Sequence, residues 1–262
     1  MNLMLSNSPI VGILTILVAI LGIAIFVVSI IAVVVRWMLI HKYRKYNNMT
    51  LLCGLNNVQA GRTLLDAHGL QDVQIVKSNW FMAQIFGNRY SVKDKKIKLR
   101  GNIMDNSSLT AVGVTCQKVA FAAADQAGDK MVKTRAVLAP IIAFGPLTFI
   151  PILLIGLIMD ILIFSGASFV CTMVCGLLGF VFLVISCVLL GISVKIEKKA
   201  NAYCMEMLEK SNIMTEEERD YLQDLFNFYI LDYVIQFVEN ILELIRFILQ
   251  ILLAIAKNQD NK

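Results

Sequence analysis

Residues suited to acid–base, nucleophilic or metal chemistry are few in this chain and unevenly spread. The two His, His41 and His68, lie in a basic flank and at a helix stop, so they do not make a ligand pair. The six Cys show no paired spacing around His, and Cys171, Cys175 and Cys187 sit inside apolar runs, where they read as small core residues. Two constellations remain. Asp232, Gln236, Glu239, Glu243, Arg246 and Gln250 recur at steps of four, three, four, three and four, which puts them on one polar stripe of an otherwise apolar helix. The other is Ser107 to Lys130, SSLTAVGVTCQKVAFAAADQAGDK, a Pro-free, Ala- and Val-rich segment that follows the turn residues Asp105 and Asn106 and reads as a buried helix. Gln117, Lys118 and Phe121 lie at its centre, and Asp125 and Asp129 near its end.

The elements that must position these residues belong to a membrane protein. Hydrophobic residues make up 58% of the 262 and charged ones only 16%, far from the roughly 45–50% and about 25% of soluble domains. Ile10 to Val35 is an uncharged run of 26 residues, long enough to cross ~30 Å of hydrocarbon. Arg36, His41, Lys42, Arg44 and Lys45 follow it, whereas Met1 to Pro9 carry no side-chain charge. This bias predicts an N-terminus outside and a cytoplasmic chain from residue 41 onward. Residues 41–136 are mixed and polar. Asn57 to Ala67 is expected as a helix stopped at Gly69, Gln71 to Val76 as a strand, and Asn88 to Arg100 as two strands turning through Val92-Lys93-Asp94-Lys95. Residues 137–192 hold two apolar runs separated by Ser165-Gly166. Their positive flanks, Lys130, Lys133 and Arg135 before and Lys195, Lys198 and Lys199 after, predict a membrane hairpin. Asp160, near the tip, is expected to reach interfacial water. Residues 193–225 are expected as cytoplasmic helices, the second restarted at Glu216 by the capping box Thr215-Glu216-Glu217-Glu218. In residues 226–262 the stripe suits either a fourth span with Lys262 outside, its polar line facing protein or a water-filled crevice, or an interfacial helix.

Nearly the whole chain resembles the YugP-type membrane zinc metallopeptidases. The likeness is carried by Gly54-Leu55, Ala60 to Leu65, Asp66 to Val73, Tyr90 to Leu99, Ser108 to Ala122 and Arg135 to Pro140, and beyond the hairpin by Glu197, Ala200 and Ile213 to Glu217. It implies one span, a cytoplasmic α+β zincin-like domain, a hairpin and a Glu-bearing helix, which makes the chain an α-helical integral membrane protein with three or four transmembrane helices. In this register the family's His-Glu-x-x-His motif reads Gln117-Lys118-Val119-Ala120-Phe121, so both His ligands and the catalytic Glu are replaced. Glu197 matches the third ligand, although Lys198 and Lys199 beside it depart from the usual pattern.

These replacements predict a vestigial site of Gln117, Lys118, Phe121 and Glu197, with no catalytic residues, no metal ligands and no cofactor, zinc being the family's. Lys118 is expected to pair with Glu197, one cation standing in for another. The functional expectation is a pseudopeptidase that binds or scaffolds in the cell membrane, with lipid and a membrane-protein partner or a second copy as partners and no nucleic acid. Two alternatives stay open. One is an active peptidase whose ligands have moved to Asp125 and Asp129, and the other is a channel or transporter component built on the polar stripe.

Overall fold

The structure is a computed structural model describing residues 9–164 and 169–260, apart from the side chains of 131, 138–150, 164 and 258–260. The uncharged start, the Ser165-Gly166 tip and Lys262 lie outside those residues. The chain is mostly helical with one small sheet, in the order α1 (Pro9–Asn47), α2 (Asn57–Ala67), β1 (Gln74–Lys77), α3 (Trp80–Phe86), β2 (Arg89–Ser91), β3 (Lys96–Leu99), α4 (Gly101–Met104), α5 (Leu109–Gln126), α6 (Lys130–Phe164), α7 (Val170–Ser211) and α8 (Glu216–Asp260). It divides into two compact units. One comprises residues 1–35, 145–187 and 234–262, and the other residues 36–144 and 188–233.

The second unit holds the site. Its sheet runs β1-β3-β2, with β1 and β3 parallel, β2 and β3 antiparallel, and Ile97 paired with both Ile75 and Tyr90. The core gathers Leu64, Leu65, Ile97, Leu109, Leu208 and Leu225, all buried. α2 crosses α5 closely because Gly61 has no Cβ; one there would stand 2.7 Å from Thr115 Cγ2 and 2.8 Å from Ile75 Cδ1. α2 begins with a capping box in which Asn56 accepts from Gln59 N at 2.8 Å and Gln59 Oε1 accepts from Asn56 N at 3.0 Å. α8 begins as its sequence predicts, with Thr215 N donating to Glu218 Oε2 at 2.8 Å. Lys42 Nζ at 2.6 Å and Tyr46 Oη at 2.7 Å both donate to Asp224, tying the end of α1 to the start of α8. Burial, reinforced by that carboxylate, pushes the Tyr46 hydroxyl up to about 12.

In the first unit α6 and α7 meet at Gly156, where a Cβ would stand 2.9 Å from the Cys171 carbonyl oxygen and 2.9 Å from Thr172 Cα. Asp160 does not reach out to water: its side chain has no exposed surface and takes up the first N–H groups of α7. Its oxygens accept from Cys171 N and Thr172 N, each at 2.8 Å, and from Thr172 Oγ1 at 2.6 Å. The free N–H groups of a helix start attract a carboxylate more strongly than interfacial water does once apolar surface surrounds them. Among the described residues two helices are long and apolar enough to cross a membrane, α1 and α7. A Gly156→Ala variant is expected to lower the unfolding midpoint in detergent, a loss of about 1–3 kcal/mol, because backbone rather than a side-chain tip must move. Gly176→Ala, whose Cβ would meet only Leu153 Cδ1 at 3.9 Å, should leave the midpoint in place.

Candidate functional site

α5 is fixed first at its start. Ser108 caps it by accepting from Ala111 N at 3.2 Å, and Asn47 at the end of α1 accepts from Ser108 Oγ at 2.9 Å and Thr110 Oγ1 at 2.8 Å. Small residues then let the helix sink into the unit, so that Ala111, Cys116, Val119 and Ala122 are all buried. Its one buried charge is Lys118, 8% exposed. Glu197, 3% exposed, faces this region from α7.

The structure brings Gln117, Lys118 and Glu197 together, with Phe121 beside them, but not in the expected pairing. Glu197 Oε1 is taken by Arg135 of α6 in an ion pair, and Glu197 Oε2 accepts from Gln117 Nε2 at 2.7 Å. Gln117 Nε2 also donates to Asn201 Oδ1 at 2.6 Å, while Gln117 Oε1 accepts from Lys118 Nζ at 2.6 Å. The amide thus bridges the ammonium and the carboxylate. Arg135 wins the direct contact because a guanidinium presents a fixed fork of donors and is more weakly hydrated than an ammonium. Phe121, four residues on from Gln117, offers its ring to both cations. Lys118 Nζ is 5.1 Å and Arg135 Cζ 4.8 Å from its centroid.

Arg135, Asn201 and Tyr233 are the contributors that sequence reasoning missed as site residues. Asn201 lies four residues after Glu197 and so shares its helix face, a signal that spacing alone carries. Arg135 looked like a flanking charge, and Tyr233, which lines the same cavity, gives no signal beside the stripe residue Asp232. These groups, with Arg100, Val114, Phe226 and Tyr229, line a cavity of about 310 Å³. Asp125 and Asp129 are engaged elsewhere: Asp125 accepts from Tyr90 Oη at 2.9 Å, and Asp129 from Lys199 Nζ at 2.6 Å. The stripe residues lie on the continuous helix α8. Asp232 pairs with Arg36 at 3.0 Å in the second unit, whereas Gln236, Glu239, Glu243, Arg246 and Gln250 belong to the first, where Glu243 and Arg246 lie 3.6 Å apart.

Burial pushes the Lys118 ammonium down to about 8, against the pull of Glu197, which favours the charged form. Below that pH both folded and unfolded chains are protonated and the full cost of burying the charge, about 3 kcal/mol, is present. Between about 8 and 10.5 the unfolded chain binds the extra proton, so this cost fades as pH rises. Denaturation of Lys118→Met beside the unaltered protein should therefore show a stability difference that shifts in favour of the unaltered protein from pH 8 to 10.5. A difference independent of pH would refute this account.

Comparison with known proteins identifies one family. The sequence model of the family described as "Putative neutral zinc metallopeptidase" matches residues 20–252. Neither the curated proteins nor the solved structures gave a match. The family match corrects the expectation of no cofactor with zinc left to the family alone, since membership points to zinc for this chain. The donor set at Gln117, Lys118, Phe121 and Glu197 does not fit that ion. Its one carboxylate has both oxygens engaged, its amide oxygen faces an ammonium, and a phenyl ring has no lone pair to give. Among the described residues no cluster of three His, Cys, Asp or Glu is placed to hold a metal ion. With nearly the whole chain matched, the protein belongs to this zinc metallopeptidase family.

Proposed function

We propose that this family member acts by binding rather than by hydrolysis, as a membrane pseudopeptidase whose cleft serves a membrane-protein partner or a second copy of the chain. One observation carries the reading. The position of the family's general base holds the Lys118 ammonium, tied to Gln117, and Glu197 is already consumed by Arg135 and Gln117. The family's general base works on a metal-bound water, and here Gln117, Phe121 and the engaged Glu197 give no ligand set to hold the metal that would supply it. The cleft around these residues is nevertheless retained, at about 310 Å³, within the size range of small-ligand pockets. The reading with displaced ligands is disfavoured by the engagement of Asp125 and Asp129 with Tyr90 and Lys199. The channel reading is disfavoured by the ion pairs that engage stripe residues, Asp232 with Arg36 and Glu243 with Arg246.

The proposal includes a multi-pass topology in which α1, α6, α7 and α8 cross the membrane and residues 41–136 and 193–225 face the cytoplasm. It is supported by the length and apolarity of α1 and α7 and by the cationic flanks Arg36 to Lys45, Lys130 to Arg135 and Lys195 to Lys199. Cys53 is exposed and reports on it directly. In sealed right-side-out vesicles an impermeant maleimide should leave Cys53 unlabelled until the vesicles are opened; labelling of intact vesicles would reverse the orientation.

Hydrolysis itself is tested with purified full-length protein and casein in zinc-supplemented buffer. The unaltered chain should give no cleavage above a detergent blank. Gln117→His, Lys118→Glu and Phe121→His together are the minimum change expected to produce cleavage, and any one alone should not. Cleavage by the unaltered chain that Glu197→Gln abolishes would overturn the proposal.

A further inference from the structure

We infer that the cavity beside Lys118 is a carboxylate-binding site, and that its ligand is a carboxylate on an apolar body, such as the free C-terminal end of a peptide or a small aromatic acid. This rests on the binding reading proposed above and names what the cleft would take. The charges facing the cavity do not balance. Arg135 and Glu197 cancel in their ion pair, which leaves Lys118 and Arg100 as two further cations on the same wall set. Among the described residues neither has a carboxylate within ion-pair distance. Lys118 Nζ donates to the Gln117 amide oxygen, and Arg100 spends its Nε on the Ala83 carbonyl oxygen at 3.0 Å.

The free end of Arg100 is placed for a ligand. Its Nη2 lies at Gly87, where a Cβ would stand 3.9 Å away, and Gly87 itself lines the cavity at a φ of +62°. A guanidinium anchored through Nε keeps its remaining N–H donors in a fixed plane suited to a carboxylate. Phe86, Val114, Phe226, Tyr229 and Ile230 supply the apolar walls. An inorganic anion would leave that surface uncovered, whereas a carboxylate on an aromatic or aliphatic body covers it. A neutral ligand would satisfy the walls and leave two buried or half-buried cations without an opposite charge.

Calorimetry on the full-length protein in detergent tests this with three probes: N-acetyl-phenylalanine, its carboxamide, and an N-acetylated tripeptide ending in a free phenylalanine carboxylate. The acid should bind at least about tenfold more tightly than the carboxamide, the weight of one charge-assisted contact. The tripeptide binding more tightly than the small acid would identify a peptide end as the source, and the reverse would identify a free acid. Lys118→Met and Arg100→Met should each lower affinity for the acid about tenfold, while Lys118→Arg retains it. Equal affinity for acid and carboxamide overturns the carboxylate assignment and leaves the binding cleft standing, and no binding of any probe also overturns it. Cleavage of the tripeptide by the unaltered protein would instead strike the non-hydrolytic reading and leave the acid-to-carboxamide ratio to decide this one. Should Lys118→Met fail to fold, that ratio in the unaltered protein decides alone.

Discussion

Glu197 is buried on α7 in a protein whose composition offers little water to its interior, and a buried carboxylate must be met by cations and hydrogen-bond donors or not be there. The arrangement around it follows from that demand. Arg135 arrives from α6 and Gln117 from α5, so a single carboxylate draws three helices to one point. Asn201, a turn further along α7, takes the second hydrogen of the same amide and fixes which way the amide faces. Gln117 turned the other way would present hydrogens to an ammonium and oxygen to a carboxylate, so its orientation is set by charge on both sides.

Phe121 adds to the cohesion of this centre. An imidazole there would offer a lone pair to an ion; the phenyl ring offers a face to two organic cations instead. Positive charge is collected at the meeting of α5, α6 and α7 on the side chains of Lys118 and Arg135. Gly61 and Gly113 let neighbouring side chains close on α5 around it.

Local structure was written plainly in the sequence where a backbone signal exists. α2 ends where Gly69 marks the stop, β2 and β3 flank the turn at Val92 to Lys95, and α8 begins at the box after Thr215. α3 was not foreseen, because seven residues rich in aromatics carry no helical periodicity and the helix depends on Asn79, whose side chain accepts from Phe81 N. At the site, residue types were legible and partners were not. That Gln117, Lys118 and Glu197 would share a neighbourhood followed from the family register, but a choice between two cations for one carboxylate turns on where α6 carries Arg135. Sequence spacing across a hairpin does not encode that. Asp160 shows the same limit, since its fate depended on the helix start that α7 presents to it.

The Asp160 contact also bears on how the hairpin is made. The chain emerges from synthesis with α6 ahead of α7, so the carboxylate is in place before the residues it will hold have been added. When Cys171 and Thr172 follow, the first amides of the new helix find their acceptor already waiting on the finished one. Two N–H groups of that helix start are thereby met by protein rather than by solvent. The two helices can therefore close on each other during biogenesis as one self-contained piece, with Gly156 giving the backbones room to touch.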